Sequence, residues 1–320
     1  MNSKKKSKNS KFNTKPKIKA KKERKSSEYY INKYLRKDLL PAMFCPGCGN
    51  LNVLNYTIRA IDNLNLDPNK FVYVSGIGCS SRLTAYLAAD ALHTVHGRAI
   101  AFATGIKVTN PDLKLIVFTG DGDLAAIGMS HFMHAIRRNI DMTVICINNE
   151  NYGMTGGQVS PTTPMFESTK SSPFGSIEHS FNLAGIAKAA GASYVARWTS
   201  AHSMQAIKSI EKAISKKGFS FIEIISSCPV GKRDKYKNPR EIMKFYLNES
   251  ILYDENETKD VHSARTYENL KDPFTQFGVR EKIIIGEFTD LIRPTYSELY
   301  SELKKKAKEE FLRIKKKRNN

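Results

Sequence analysis

The 320-residue sequence contains no apolar run of about 18 residues, the length a helix needs to cross a bilayer, so no membrane span is expected. Its basic N-terminus has no apolar segment behind it and does not read as a secretory signal. Together these absences point to a cytoplasmic protein. Five cysteines are too few for a disulfide-stapled scaffold. No segment repeats, which excludes solenoids and propellers. Acidic residues are nearly missing from the two ends: residues 1–25 hold twelve Lys/Arg against one Glu, and residues 304–320 nine against two. Those ends carry +18 of the formal +20, so the middle is nearly neutral. A nucleic-acid-binding domain needs a basic face in its folded part, and this composition argues against one. Residues 1–28 have too little apolar content to offset their ordering entropy and are expected to be a disordered tail.

What is present is a series of short apolar, β-branched runs: FVYVSG (71–76), LKLIVFTG (113–120), MTVICINN (142–149), SYVAR (193–197) and FSFIEII (219–225). Helical patterns separate most of them. One spans 124–138, with Ile127, His131 and His134 in phase; another spans 201–216, with Met204, Ile207, Ile210 and Ile214 on one face. Apolar strands alternating with helices predict an α/β fold, a doubly wound and mostly parallel sheet covered on both faces, over about 29–245. Residues 246–320 read as a C-terminal extension that packs on this domain or on a partner. A helix starts near Thr295 and has a basic end.

The unusual chemistry follows the strands. FVYVSG runs into IGCSSR, LIVFTG into DGD, TVICIN into NENYGMTGGQ, and FIEII into SSCPVGKR. In open α/β sheets, ligands bind outside the carboxyl ends of the strands. The turn Gly120–Asp123 offers glycines and free N–H groups to a phosphate. Asp121 is a hard oxygen ligand, and Asn149 lies 28 residues on, one strand–helix–strand unit away. Asp121 and Asn149 can therefore meet at one ion, and Mg²⁺ suits oxygen ligands plus a diphosphate. Cys45 and Cys48, flanking Pro-Gly, leave three readings open: metal ligands, an exchanging dithiol, or only a tight turn. His93 and His96 are spaced i,i+3.

GDG followed by NN at this interval resembles the diphosphate-and-magnesium motif of thiamine diphosphate enzymes. The segments HTVHGRAIAFATGIKVTNPDLKLIVFTGDGD, HAIRRNIDMTVICINNENYGMTGGQVSPTTP and SYVARWTSAHSMQAIKSIEKAISKKGFSFIEIISSCP resemble the β subunit of 2-oxoacid:ferredoxin oxidoreductases, nearest its 2-oxoglutarate (KorB-type) branch. The resemblance covers about 40–300. It implies the thiamine diphosphate-binding fold, with Asp121 and Asn149 giving side chains to Mg²⁺ and Asn151 its main-chain carbonyl. Gly122, Asp123, Gly153 and Met154 would contact the diphosphate and thiazolium, and Ile77, Gly78, Cys79, Ser80 and His96 would line the cofactor. Cys45, Cys48, Cys79 and Cys228 would hold a [4Fe–4S] cluster, leaving Cys146 as an inert core residue. Structural zinc and a redox dithiol stay open as rival readings of the cysteines.

The implied activity is oxidative decarboxylation of 2-oxoglutarate with coenzyme A, giving succinyl-CoA and CO₂, with electrons passing to ferredoxin. The implied partner is an α subunit that supplies the activating carboxylate, so no catalytic residue is assigned in this chain. Arg82 and the Lys232-Arg233 pair are surface cations that could steer an acidic substrate or ferredoxin. One departure bears on substrate. Position 156 is Gly, where some archaeal relatives carry a Lys able to reach a distal carboxylate, so this position leaves pyruvate and branched-chain 2-oxoacids open. A zinc-stapled protein with nucleic-acid-binding arms is the rival from another class.

Overall fold

The computed structural model describes residues 25–232, 235–254 and 282–319. The basic tail over residues 1–24, Arg233, and the segment 255–281 lie outside the described residues. The strands are β1 (Phe71–Ser75), β2 (Asp90–His93), β3 (Lys114–Gly120), β4 (Met142–Asn148), β5 (Tyr194–Thr199), β6 (Phe219–Ile225), β7 (Ser250–Leu252) and β8 (Ile283–Asp290). The helices are α1 (Ser27–Tyr34), α2 (Asn50–Asn63), α3 (Leu83–Tyr86), α4 (Ala99–Thr109), α5 (Met129–Arg137), α6 (Leu183–Ala189), α7 (Ser203–Ser215), α8 (Pro239–Glu249) and α9 (Tyr296–Asn319).

All five sequence-predicted strands form. They join one eight-stranded sheet in the order β2-β1-β3-β4-β6-β5-β8-β7, parallel except for the β5–β8 pair. Every residue of β4, β5 and β6 is buried, as strands covered on both faces must be. One face packs Val53, Ile61, Ile210 and Tyr246 from α2, α7 and α8. The other packs Ala103, Phe132, Ile136 and Ala187 from α4, α5 and α6. The C-terminal stretch adds β8 beside β5 and β7 beside β8. Helix α9 begins with a reciprocal capping box: the Thr295 hydroxyl accepts from the Glu298 N–H at 3.2 Å, and a Glu298 carboxylate oxygen accepts from the Thr295 N–H at 2.9 Å.

Two helical faces differ from the sequence pattern. The segment expected as one helix over 124–138 opens with a π-helical turn, Asp123–Ile127, closed by the Gly128 N–H on the Asp123 carbonyl at 3.2 Å. That i→i+5 bond inserts an extra residue per turn, so Ile127 and His134 rotate outward. Phe132, Ala135 and Ile136 take the core instead. In α7 the buried face is Ala206, Ile207, Ile210, Ala213 and Ile214, while Met204 in the first turn is exposed.

The chain leaves β1 toward β2 on one side and returns to β3 on the other. This change of direction opens a crevice at the carboxyl edge between β1 and β3, where open α/β sheets take their ligands.

Candidate functional site

A cleft of about 510 Å³ occupies that crevice. It is lined by the loops after β1 (Ile77, Gly78, Cys79, Ser80), β2 (His96), β3 (Gly120, Asp121, Gly122, Asp123) and β4 (Asn149, Asn151, Tyr152, Gly153, Met154, Thr155). All twelve residues that the sequence marks for the cofactor or Mg²⁺ therefore face one space. Gly122 owes its place to close approach: a Cβ there would stand 2.2 Å from the Tyr152 ring.

The two carboxylates of the GDGD turn have different surroundings. Asp121 is buried, and one oxygen accepts from the Ser160 and Thr162 hydroxyls at 2.6 and 2.7 Å. Its other oxygen accepts from the Asn149 N–H at 3.3 Å. Burial pushes the Asp121 carboxyl up, against the pull of these hydrogen bonds. A cation beside it would reverse that balance. Asp123 ties three loops together. Its oxygens accept from the Gly97 N–H (2.7 Å), the Ile77 N–H (3.2 Å) and the Thr119 hydroxyl (2.8 Å). Those bonds occupy the Asp123 carboxylate, and a diphosphate would repel it.

The Asn-Asn turn meets Asp121 through the Asn149 N–H and folds on itself, the Asn151 N–H donating to Asn149 Oδ1 at 3.3 Å. Asn151 is buried, its amide nitrogen donates to the Asn149 carbonyl at 2.7 Å, and its amide oxygen has no hydrogen-bond partner. A buried oxygen without a donor costs free energy unless a ligand or ion answers it. His96 Nδ1 is likewise unpartnered, 3.6 Å from an Asp123 oxygen.

The sulfurs gather behind the cleft floor. The Cys48 N–H closes the Cys45 turn at 3.0 Å. This turn is bound to the residues before Cys228: Gly49 N–H donates to the Ser227 carbonyl at 3.1 Å, and the Ser227 hydroxyl to the Gly47 carbonyl at 2.8 Å. Cys228 also abuts the Asn-Asn loop, since a Cβ at Gly153 would lie 3.2 Å from its sulfur. Burial first, then the neighbouring Cys48, Cys228 and Cys45, push the Cys79 thiol up to about 11. Cys48 is raised for the same reasons. A metal centre beside Cys48 and Cys79 would turn them into thiolates. Two donors already face sulfur: Asn50 Nδ2 to Cys48 at 3.2 Å and Gly231 N–H to Cys228 at 3.4 Å. Among the described residues no three His, Cys, Asp or Glu side chains stand tightly enough to grip an ion as they are. Cys146 is fully buried in mid-strand, among Val144, Leu124 and Phe221.

Lys232 is not the solvated cation the sequence suggests: it is buried, paired with Glu150 at 2.8 Å and Glu167 at 2.6 Å. Gly156 adopts φ +112, which favours glycine, and the Lys170 ammonium lies 3.1 Å from where its Cβ would be. Sequence reasoning passed over Ser160, Thr162, Tyr152 and Lys170. The hydroxyl-rich SPTTP run, following so soon after Asn-Asn, was the available signal for the first two.

Residues 76–224 match the model of the thiamine pyrophosphate enzyme C-terminal TPP-binding domain. The chain is 51% identical over 280 residues to the 2-oxoglutarate synthase subunit KorB of Methanocaldococcus jannaschii, covering 87% of this chain and 98% of that protein. It is 46% identical over 259 residues to the subunit of the same name from Archaeoglobus fulgidus, covering 81% and 91%. Its fold matches the solved 2-oxoglutarate:ferredoxin oxidoreductase from Magnetococcus marinus, with 2-oxoglutarate, coenzyme A and succinyl-CoA bound. That match has a TM-score of 0.73 and 32% identity over 87% of this chain and 90% of that one. A thiamine pyrophosphate domain, a cleft at its sheet edge and relatives matched along nearly their whole length lead to one conclusion: the chain belongs to the β-subunit family of 2-oxoacid:ferredoxin oxidoreductases, on its KorB branch.

Proposed function

We propose that this chain is the cofactor-bearing β subunit of a cytoplasmic 2-oxoglutarate synthase, which converts 2-oxoglutarate and coenzyme A to succinyl-CoA and CO₂ while two electrons pass to ferredoxin. One observation carries the reading: the Asp121 turn and the Asn-Asn turn share a cleft with Cys79, which neighbours Cys45, Cys48 and Cys228. When bound, thiamine diphosphate supplies the nucleophile and electron sink for decarboxylation, and a [4Fe–4S] cluster supplies a one-electron acceptor.

The chain's own residues bind and orient. Asp121 and Asn149 by their side chains, and Asn151 by its main-chain carbonyl, would hold Mg²⁺ against the diphosphate; the buried Asp121 carboxyl, raised by that burial, fits that role. The helical turn opening at Asp121 presents N–H groups to an anion. Gly78, Ser80, Gly122, Gly153 and Met154 line the space the cofactor would fill, as do Ile77, Cys79 and His96. Cys45, Cys48, Cys79 and Cys228 would hold the cluster, with Asn50 and the Gly231 N–H donating to its sulfurs, a device that tunes potential. Cys79 touches both regions, lining the cleft and neighbouring the other thiols, which suits a short electron path.

Residues 29–245 form the cofactor domain in this reading, with 246–320 extending it. An α subunit would complete the site. Ile77, Val95, Ile127 and Met154 are exposed at or beside the cleft mouth, an apolar rim suited to a partner. Lys170, exposed with its ammonium beside Gly156, would meet the distal carboxylate of a dicarboxylic 2-oxoacid.

The test is the αβ complex purified without oxygen. Broad brown absorption with stoichiometric iron, and coenzyme-A-dependent oxidation of 2-oxoglutarate in preference to pyruvate, are expected. Colourless, zinc-bearing protein sinks the cluster, and a preference for pyruvate sinks the substrate. Lys170→Ala should raise KM for 2-oxoglutarate with little change for pyruvate.

A further inference from the structure

An ion pair lies inside the sheet, and none of the chemistry above uses it. Arg197 of β5 and Glu223 of β6 are register partners, joined Nε to Oε2 at 2.8 Å, with side chains 0% and 1% exposed. Burying such a pair carries a desolvation penalty, and apolar residues of similar volume are often as stable. Its hydrogen bonds lead toward the cleft. The other Glu223 oxygen accepts from Asn148 Nδ2 at 2.8 Å. Asn148 ends β4 on the same face, two residues beyond Cys146, which is Glu223's register partner. On the far side, Arg197 donates to Asn182 Oδ1 and to the Ile284 carbonyl, anchoring the guanidinium to α6 and β8.

A carboxylate only accepts hydrogen bonds, so Glu223 fixes which way the Asn148 amide faces. The NH₂ must point back into the sheet and the oxygen forward. That oxygen accepts from the Glu150 N–H at 3.1 Å and lies 3.0 Å from the Thr162 hydroxyl. Thr162 in turn reaches Asp121 at 2.7 Å. Glu150 stands between Asn149 and Asn151 with φ +62, a left-handed conformation unusual for a side-chain-bearing residue. The Asn148 oxygen therefore pins the strained residue of the turn and faces a hydroxyl donor to Asp121.

We propose that Arg197 and Glu223 are positioning residues for the cation site: through the Asn148 amide, whose oxygen holds the Glu150 N–H, they set the Asn149–Asn151 turn. The inference rests on the reading of Asp121, Asn149 and Asn151 as the Mg²⁺–diphosphate site.

The experiment uses the αβ complex, with retained thiamine diphosphate measured as Mg²⁺ is titrated. Wild type comes first, since no Mg²⁺-dependent retention there means that the site reading itself has failed. Given wild-type retention, the Arg197→Met/Glu223→Leu double variant removes both charges at similar volume. It should need about tenfold more Mg²⁺ for half-saturation, with iron content at wild-type levels and an unfolding midpoint only a few degrees lower, the cost of leaving the Asn148 amide without its acceptor. Arg197→Met/Glu223→Gln, which also removes both charges but keeps an amide oxygen to accept from Asn148, should stay nearer wild type than Arg197→Met/Glu223→Leu. An unchanged Mg²⁺ requirement in Arg197→Met/Glu223→Leu overturns the proposal. So does a parallel loss of iron, thermal stability and Mg²⁺ response, which would assign the pair to folding alone.

Discussion

Replacing Asp123 with alanine removes an acceptor that three loops share. The Gly97 and Ile77 N–H groups lose their partner, and both lie in buried or half-buried surroundings. The Thr119 hydroxyl can turn to the Gly120 carbonyl, 3.2 Å away, so its loss counts for little. Two orphaned donors at about 1–3 kcal/mol each give a destabilisation of roughly 2–6 kcal/mol. For a chain of this size, that lowers the midpoint by roughly 4–24 °C, at about 2–4 °C per kcal/mol. Asparagine is the control. Its amide oxygen can accept from both backbone groups and its NH₂ can donate to Thr119, so the cost should fall to about 1 kcal/mol. Thermal unfolding of the two variants, followed by circular dichroism, measures the difference. An alanine variant that melts with wild type yet no longer binds thiamine diphosphate would refute the reasoning, because the carboxylate would then serve the cofactor directly instead of tying the loops.

Asp121→Ala should abolish Mg²⁺-dependent thiamine diphosphate binding while iron content stays at wild type, since Asp121 and the thiols belong to different parts of the site; loss of both in a folded protein counts against that separation. Cys146→Ser should keep its iron at a stability cost of about 1–3 kcal/mol, from burying a hydroxyl in an apolar cluster, whereas Cys228→Ser should bleach the protein; the opposite pattern refutes the ligand assignment. Burial alone would raise the Asp62 carboxyl, but hydrogen bonds from Lys25, Tyr29, Lys33 and Tyr34 hold it down to about 2. Its folded value lies below the ordinary 3.8, so its contribution is complete above that pH and is lost as pH falls through about 2. Asp62→Asn should therefore flatten the acid side of the stability curve, and a variant as acid-sensitive as wild type contradicts this.

The sequence alone determined the strand inventory of the sheet's centre and the chemistry at its edge. Uninterrupted apolar runs such as LIVF (115–118) have no alternative but burial on both faces, and the strands lead into the Gly, Asp, Asn or Cys residues that make the loops. The Asp121 turn and Asn149 were legible at the strand ends, which in a parallel sheet all point one way; the remaining cofactor-lining residues came from the family resemblance. Tertiary structure alone decided the rest. The edge strand β2 is exposed along its whole length and has no apolar pattern to reveal it. The π-helical turn rotated Ile127 and His134 off the core, a change of one hydrogen-bond register that periodicity cannot register. Nothing local distinguishes Asp121 from Asp123, since both are acids beside Gly122; only the loops packed around them give Asp123 the Gly97 and Ile77 N–H groups and Asp121 the Ser160 and Thr162 hydroxyls. The same holds for Arg197 and Glu223, 26 residues apart in the chain, whose meeting depends on β5 and β6 lying side by side. Patterns of apolarity fix which segments must be covered, but partnerships between distant polar groups arise only once the sheet order is set.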